Sequence, residues 1–327
     1  MDLLLADLHL SDNPLEEYRW VVFDWLYTYR SIDTVYVLGD LTEKKDNHSA
    51  KLVNRLVNYF LTLRDHCERM VILRGNHDGI DPDWPFFDFL HAMKIEYYYS
   101  PMIVDREMFI PYSKDFAGDI KGLFEDGKVD LSCVDRIFLH QTIKGAKVND
   151  TSLEGFDPGT FRNFNGQVYS GDIHQPQTVG KVNYVGSPYP VYFGDSFVGG
   201  IILLDGDKWK RVEYPTIRRV MLDIDYTKTE VDMTFPVRIG DQFKIRMLVN
   251  RSDSDMFEKW KRTVRRTIED EGGIVVSIEL KLAEEKSRLV RKRKFKDTDP
   301  LTVLSRYCRA EGLDSYYEEK GREFIWT

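Results

Sequence analysis

Apolar residues recur in two rhythms along the first part of the chain. Short apolar runs at residues 3–6, 34–38 and 70–73 each end in polar residues. Between them, residues 15–29 and 48–64 carry apolar side chains at three- and four-residue spacing. Strand alternating with amphipathic helix predicts an α/β core with parallel strands. Later segments, 136–139, 167–170, 182–185 and 199–204, read as further strands with few helices between them. The expectation is a sheet-rich sandwich flanked by outer helices.

The pattern changes after Pro215. Residues 220–224 and 242–248 read as strands, 255–271 as a helix stopped by Gly272–Gly273, and 274–282 as a third strand. This β-β-α-β unit suggests three parts: residues 1–215, a small α+β unit at 216–282, and a tail at 283–327. The tail opens on a run, 286–296, with seven basic residues and no acid, and Pro300 then introduces a short helix over 301–310.

Composition narrows the function classes. Of 327 residues, 42% are hydrophobic and 31% charged, which excludes a wholly disordered chain. No apolar run approaches the roughly 18 residues needed to cross a bilayer. Cys67, Cys133 and Cys308 are far apart, indicating neither a disulfide framework nor a zinc ribbon. A cytoplasmic protein is expected. The net charge of −8 divides into −11 over residues 1–215, 0 over 216–280 and +3 over 281–327. The bulk of the chain therefore lacks the basic footprint usual for a nucleic-acid binder.

The chemistry lies at strand ends. Asp7 and His9 (A-D-L-H) follow the first strand, and Asp40 follows Gly39 after the second. Asn76, His77 and Asp78 (G-N-H-D) follow Gly75 after the third. His140 ends the 136–139 strand, and Asp172 and His174 (G-D-I-H) follow Gly171. Ligands of open α/β sheets bind beyond the carboxyl ends of strands, so these clusters are expected on one rim. Carboxylate, imidazole and amide oxygen together suit a pair of divalent cations that clamp a phosphate ester and activate water. Asp78 also reads as a turn cap, and Asp172 as a backbone acceptor in a glycine turn. Glu43 reads equally as an exposed loop acid. His48, His66 and His91 fall on predicted helices.

D-x-H, G-D, G-N-H-D, a lone His and G-x-x-H, in this order over residues 7–174, resemble the calcineurin-like metallophosphoesterase family. G-D-I-H-Q-P-Q and the run Y-V-G-S-P-Y-P-V-Y-F-G-D (184–195) are similar to the SbcD-like nuclease subunits of SbcCD-type DNA repair complexes, which include recombination nucleases of large phages. The resemblance implies a sandwich of two mixed β-sheets flanked by helices, with a capping domain at 216–282 that positions DNA. It implies Asp7, His9 and His174 on one metal, Asp40 bridging, and Asn76 and His140 on a second. His77 would face the scissile phosphate with Asp78 orienting its ring. Asp172 stands where the family usually has a histidine ligand, shifting the expected preference toward Mn²⁺ or Mg²⁺.

The implied activity is two-metal-dependent hydrolysis of DNA, 3′-to-5′ on duplex ends and endonucleolytic on single strands. The implied partner is an SMC/ABC-type ATPase bound through 283–327, with a homodimer inside a heterotetramer, in a bacterial cell or encoded by a phage. Two other readings stay open: a phosphoesterase of the same superfamily acting on nucleotides or phosphoproteins, and a DNA-binding scaffold subunit weakened at Asp172.

Overall fold

The computed structural model describes residues 1–81, 83–115, 118, 131–228, 235–283, 304, 305, 308 and 309. The chain runs through β1 (Asp2–Leu5), α1 (Val21–Leu26), β2 (Ile32–Leu38), α2 (Ala50–Asp65), β3 (Cys67–Leu73) and β4 (Glu96–Tyr98). It continues through β5 (Met102–Val104), β6 (Glu107–Ile110), β7 (Arg136–His140), β8 (Lys147–Val148), β9 (Thr151–Ser152) and β10 (Gln167–Gly171). The strands β11 (Gln177–Val179), β12 (Val182–Tyr184), β13 (Gly200–Asp205) and β14 (Lys208–Glu213) follow.

These strands form two six-stranded mixed sheets, ordered β14-β13-β1-β2-β3-β4 and β11-β12-β10-β7-β6-β5. Strands β1 to β4 are mutually parallel, as are β6, β7, β10 and β12, and antiparallel strands close the edges. This is the expected α/β sandwich. Period-two alternation explains why its strands are apolar on both faces. Leu4, Tyr36, Leu38, Val71 and Leu73 face Phe109, Phe138 and Tyr169 of the other sheet. Their neighbours Leu3, Leu5, Val35, Val37 and Ile72 face outward onto α1 and α2.

Helix α2 begins where Ser49 accepts the Leu52 N–H (3.0 Å), and it buries Leu52, Leu56, Phe60 and Leu63 at helical spacing. His48 lies before this helix and sits 2.7 Å from the Thr42 hydroxyl. The helix expected over 15–29 is interrupted. A 3-10 turn, Pro14–Arg19, precedes α1, and Glu16 departs from helical geometry at φ −112°. Arg19 is thereby buried, with its guanidinium on the carbonyls of His9 and Val191.

The third sheet contains β15 (Arg219–Asp225), β16 (Gln242–Val249) and β17 (Ile274–Leu282), all parallel, with α3 (Phe257–Asp270) between β16 and β17. Val264 and Ile268 of α3 join Phe243, Ile245 and Met247 in a separate core. It meets the sandwich through polar contacts. Gln242 donates to Leu15 O, Arg219 donates to Val191 O, and the Arg219 guanidinium lies 4.2 Å from the Phe193 ring centre. The expected basic run and most of the expected 301–310 helix lie outside the described residues; Leu304, Ser305, Cys308 and Arg309 are helical. Among the described residues no helix is long and apolar enough to cross a membrane.

Phe138 is fully buried between the sheets, stacked 4.3 Å from Tyr36 and 5.4 Å from Phe109. Phe138→Ala is expected to cost about 3–5 kcal/mol in urea unfolding. A loss below about 1 kcal/mol would show that the sheets do not depend on this stack.

Candidate metal centre and active site

The site forms where β1, β2, β3, β7 and β10 end side by side. Each chain reversal there is tight. Asp7, His9, Asp40 and Asp172 all have left-handed backbone, with φ of 55°, 43°, 55° and 84°. Such conformations are costly for residues other than glycine and cluster at functional sites. The loops also approach one another closely. A Cβ on Gly75 would lie 2.3 Å from Asp40 N, and one on Gly171 would lie 2.1 Å from Leu38 O. Glycine before Asp40, Asn76 and Asp172 is therefore a packing requirement.

Of the sequence-predicted residues, Asp7, His9 and His174 bring ligand atoms within 4.8 Å of one another, and so do Asp7, Asp40 and His140. Asp40 spans both groups: Oδ2 is 3.4 Å from His9 Nε2, and Oδ1 is 3.6 Å from His140 Nε2. His140 Nδ1 donates to Leu38 O at 2.6 Å, which leaves Nε2 as the ligand atom. Asn76 completes this side, its Oδ1 3.0 Å from His140 Nε2. Asp172 sits at the margin. Its Oδ2 accepts from the Thr142 hydroxyl, and its Oδ1 is 3.8 Å from His140 Nε2.

The donors fit divalent cations. Asp7 Oδ2 is buried with no partner. His9 Nε2 and His174 Nε2 face each other at 3.1 Å. Unpaired lone pairs aimed at common points are costly when buried, and cations satisfy them. Charge follows the same logic. Burial disfavours a charged His140, but Asp40, Asp7 and Asp172 outweigh it and push the imidazole up to about 10. Burial, then His9, pushes His174 down to about 3, which leaves a neutral ligand ring. Burial, aided by Asp40 and Asp172, raises the Asp7 carboxyl well above its ordinary range.

Asp78 plays a different part from the one its position beside His77 suggests. Its carboxylate accepts from the backbone N–H groups of Asp40 (2.8 Å), Leu41 (2.6 Å) and Gly75 (2.7 Å). Both oxygens are thus occupied, and the expected role in orienting the His77 ring is corrected. That ring is held instead by Glu43 O, 3.1 Å from Nδ1, and it lines a cleft of about 260 Å³ with His9, Asp40, Asn76 and His174.

Glu43, which the sequence left as a loop acid, points inward. Its Oε2 is 3.3 Å from His9 Nδ1 and 3.4 Å from the buried Arg19 guanidinium. Burial opposes its charge, but His9 and Arg19 prevail and hold the carboxyl at about 2. Arg19 was missed altogether, and only its place in an apparent helix could have signalled it. Residues 184–195 brace the first loop: Ser187 Oγ donates to Asp7 O at 3.0 Å, and the buried Tyr189 donates to Leu8 O at 2.6 Å. His48, His66 and His91 lie away from these ligand groups.

A family model for calcineurin-like phosphoesterases matches residues 3–189, which carry every one of these ligands. The chain belongs to the calcineurin-like phosphoesterase family. It is also 25% identical over 240 residues to the protein named "Putative phosphoesterase 244L" of Invertebrate iridescent virus 6, covering 69% of this chain and 83% of that one. Among solved structures it is similar to the nuclease MPE of Pseudomonas putida at 12% identity and a TM-score of 0.34, over 64% of this chain and 87% of the other. This phosphoesterase is therefore a metal-dependent hydrolase of phosphoesters, with the strand-end cleft as its candidate active site.

Removing the Asp78 carboxylate leaves three buried N–H donors without an acceptor. Asp78→Ala is expected to destabilise the phosphoesterase by at least about 3 kcal/mol in chemical unfolding. Unchanged stability with reduced turnover would instead restore the ring-orienting role.

Proposed function

We propose that this phosphoesterase is a two-metal DNA nuclease of the SbcD-like type. The observation that carries the reading is the shape of the substrate space. The metal cleft shares Asp195 and Phe197 with a larger cavity of about 760 Å³. Arg218, Arg219 and Arg238, which flank or belong to the third sheet, line that cavity. Continuous space beyond the reacting centre suits a polymer more than a small ester.

Asp7, His9 and His174 would hold one cation, Asn76 and His140 the other, with Asp40 between them and Asp172 offering its Oδ1 to the second. The cations, Mn²⁺ in this reading, supply positive charge for the phosphoryl oxygens and activate water. The chain's own groups do the rest. Leu38 O fixes the tautomer of His140, so that its Nε2 faces inward, and the Glu43 carboxylate lies 3.3 Å from His9 Nδ1 on the side away from the cleft. His77, anchored through Nδ1, presents its ring to the cleft to donate a proton toward the leaving oxygen. Tyr192, 47% exposed with its ring 5.2 Å from that of His174, forms part of the wall on which a base can stack. The tail at 283–327 would recruit an SMC/ABC-type ATPase, with two copies of this chain in the assembly.

End-labelled duplex and single-stranded DNA should be shortened with Mn²⁺ or Mg²⁺ and left intact in EDTA. His77→Ala should lower kcat by about 10²–10⁴-fold. Turnover of mononucleotide esters without DNA cleavage would overturn the nuclease reading.

Asp172→Ala should weaken binding of one of two Mn²⁺ ions in calorimetric titration by about 10-fold or more. Two ions bound as tightly as in the parent would remove Asp172 from the ligand set.

A further inference from the structure

Arg74 lies between β3 and the loop that carries Asn76 and His77. Its side chain is buried, with 6% of the residue exposed. Yet its guanidinium makes one hydrogen bond among the described residues, Nη2 to Gly79 O at a long 3.4 Å, and Nε is buried with no partner. It joins no ion pair among the described residues. Three other sunken arginines of this fold have carboxylate partners. Arg19 meets Glu16 and Glu43, Arg69 meets Glu96 and Glu107, and Arg136 meets Asp2. A buried cation without a counter-charge is costly, so Arg74 is suited to receive an anion.

A cavity of about 500 Å³ receives it, lined also by Tyr99, Ser100, Tyr112, Ser113 and Lys114. Tyr112 N donates to Arg74 O at 2.9 Å, and the Tyr112 ring lies 6.4 Å from the His140 ring. The cavity is therefore beside the metal centre, although it shares no residue with the cleft that His77 lines. Asp83 and Asp115 stand on its wall, but neither pairs with Arg74, and Asp115 Oδ1 accepts from Gly118 N at 3.1 Å. The Tyr97 hydroxyl, close enough to feel the Arg74 charge, is likewise buried and unpartnered.

We propose that Arg74 anchors a phosphate-binding subsite in this cavity, outside the metal centre. The guanidinium lines the cavity with most of its donors unoccupied, and paired N–H groups bind two oxygens of one phosphate, the geometry in which arginine binds oxyanions best. Lys114 adds a second positive charge at the mouth, and hydroxyls from tyrosine and serine line the walls. The phosphate is one that flanks the scissile bond in the substrate strand, which rests on the nuclease reading, or a free phosphate ion.

The test uses the full chain with Mg²⁺ present, as the parent, Arg74→Gln and Lys114→Glu. Inorganic phosphate is titrated by calorimetry. Alongside, kcat/KM is measured for a single-stranded oligonucleotide and for bis(p-nitrophenyl) phosphate, and their ratio is taken. Arg74→Gln is expected to weaken one phosphate site at least tenfold, and Lys114→Glu several-fold. If the ratio falls in parallel, the ligand is the substrate's own phosphate. If the site weakens but the ratio holds, the subsite takes free phosphate. Phosphate binding that depends on Arg74 in a protein unable to cut DNA would end the nuclease reading and leave the subsite standing. Should Arg74→Gln fail to fold, Lys114→Glu, an exposed change, decides alone. Phosphate bound as tightly in the folded variants as in the parent overturns the proposal.

Discussion

Three backbone N–H groups converge on one buried carboxylate, and the centre depends on that convergence. Asp78 gathers the amides of Asp40, Leu41 and Gly75, and so ties the turn after β2 to the turn after β3. The tie sets where Asp40 and Asn76 point, and Asp40 Oδ1 then accepts the His77 N–H at 2.8 Å. Asp40, Asn76 and the histidine facing the cleft are thus placed by the protein's own hydrogen bonds. The protein's own hydrogen bonds hold these loops in left-handed, crowded conformations.

Much of this was legible in the sequence because apolar runs end abruptly in glycine and acid or histidine, and strand ends of one sheet share a rim. The parallel core, the third sheet's β-β-α-β order and the convergence of Asp7, His9, Asp40, His140 and His174 followed from that logic. What could not be read depends on long side chains reaching between distant segments. Arg19 looked like a helix residue, yet it is buried across three loops. Glu43 had no spacing relation to His9 and meets it only because β1 and β2 are neighbours. Asp78 adjoins His77 in sequence and was assigned to it for that reason, whereas its nearest donors are 3, 37 and 38 residues away. Tertiary contacts of this kind leave no periodic trace.

A chain of ion pairs extends outward from the same place. His9 meets Glu43, Glu43 meets Arg19, Arg19 meets Glu16, and Glu16 lies 3.6 Å from Arg219 at the start of β15. The third sheet is therefore connected to the metal centre through a relay of polar and charged side chains. Displacing that sheet would leave Glu16 and Arg19 to find new partners, so its position and the setting of His9 are linked by the cost of unpaired buried charge.

The two sheets of the sandwich contribute unequal shares of the ligand set. Asp7, His9, Asp40 and Asn76 follow strands of one sheet, and His140, Asp172 and His174 belong to or follow strands of the other. Cations held between them would link the two layers at the rim where their strands end. Affinity for metal then exists only in molecules whose two layers have closed on each other, and every bound ion resists their parting. Without the metal, the same chain would lose its turnover and a tie between its layers together.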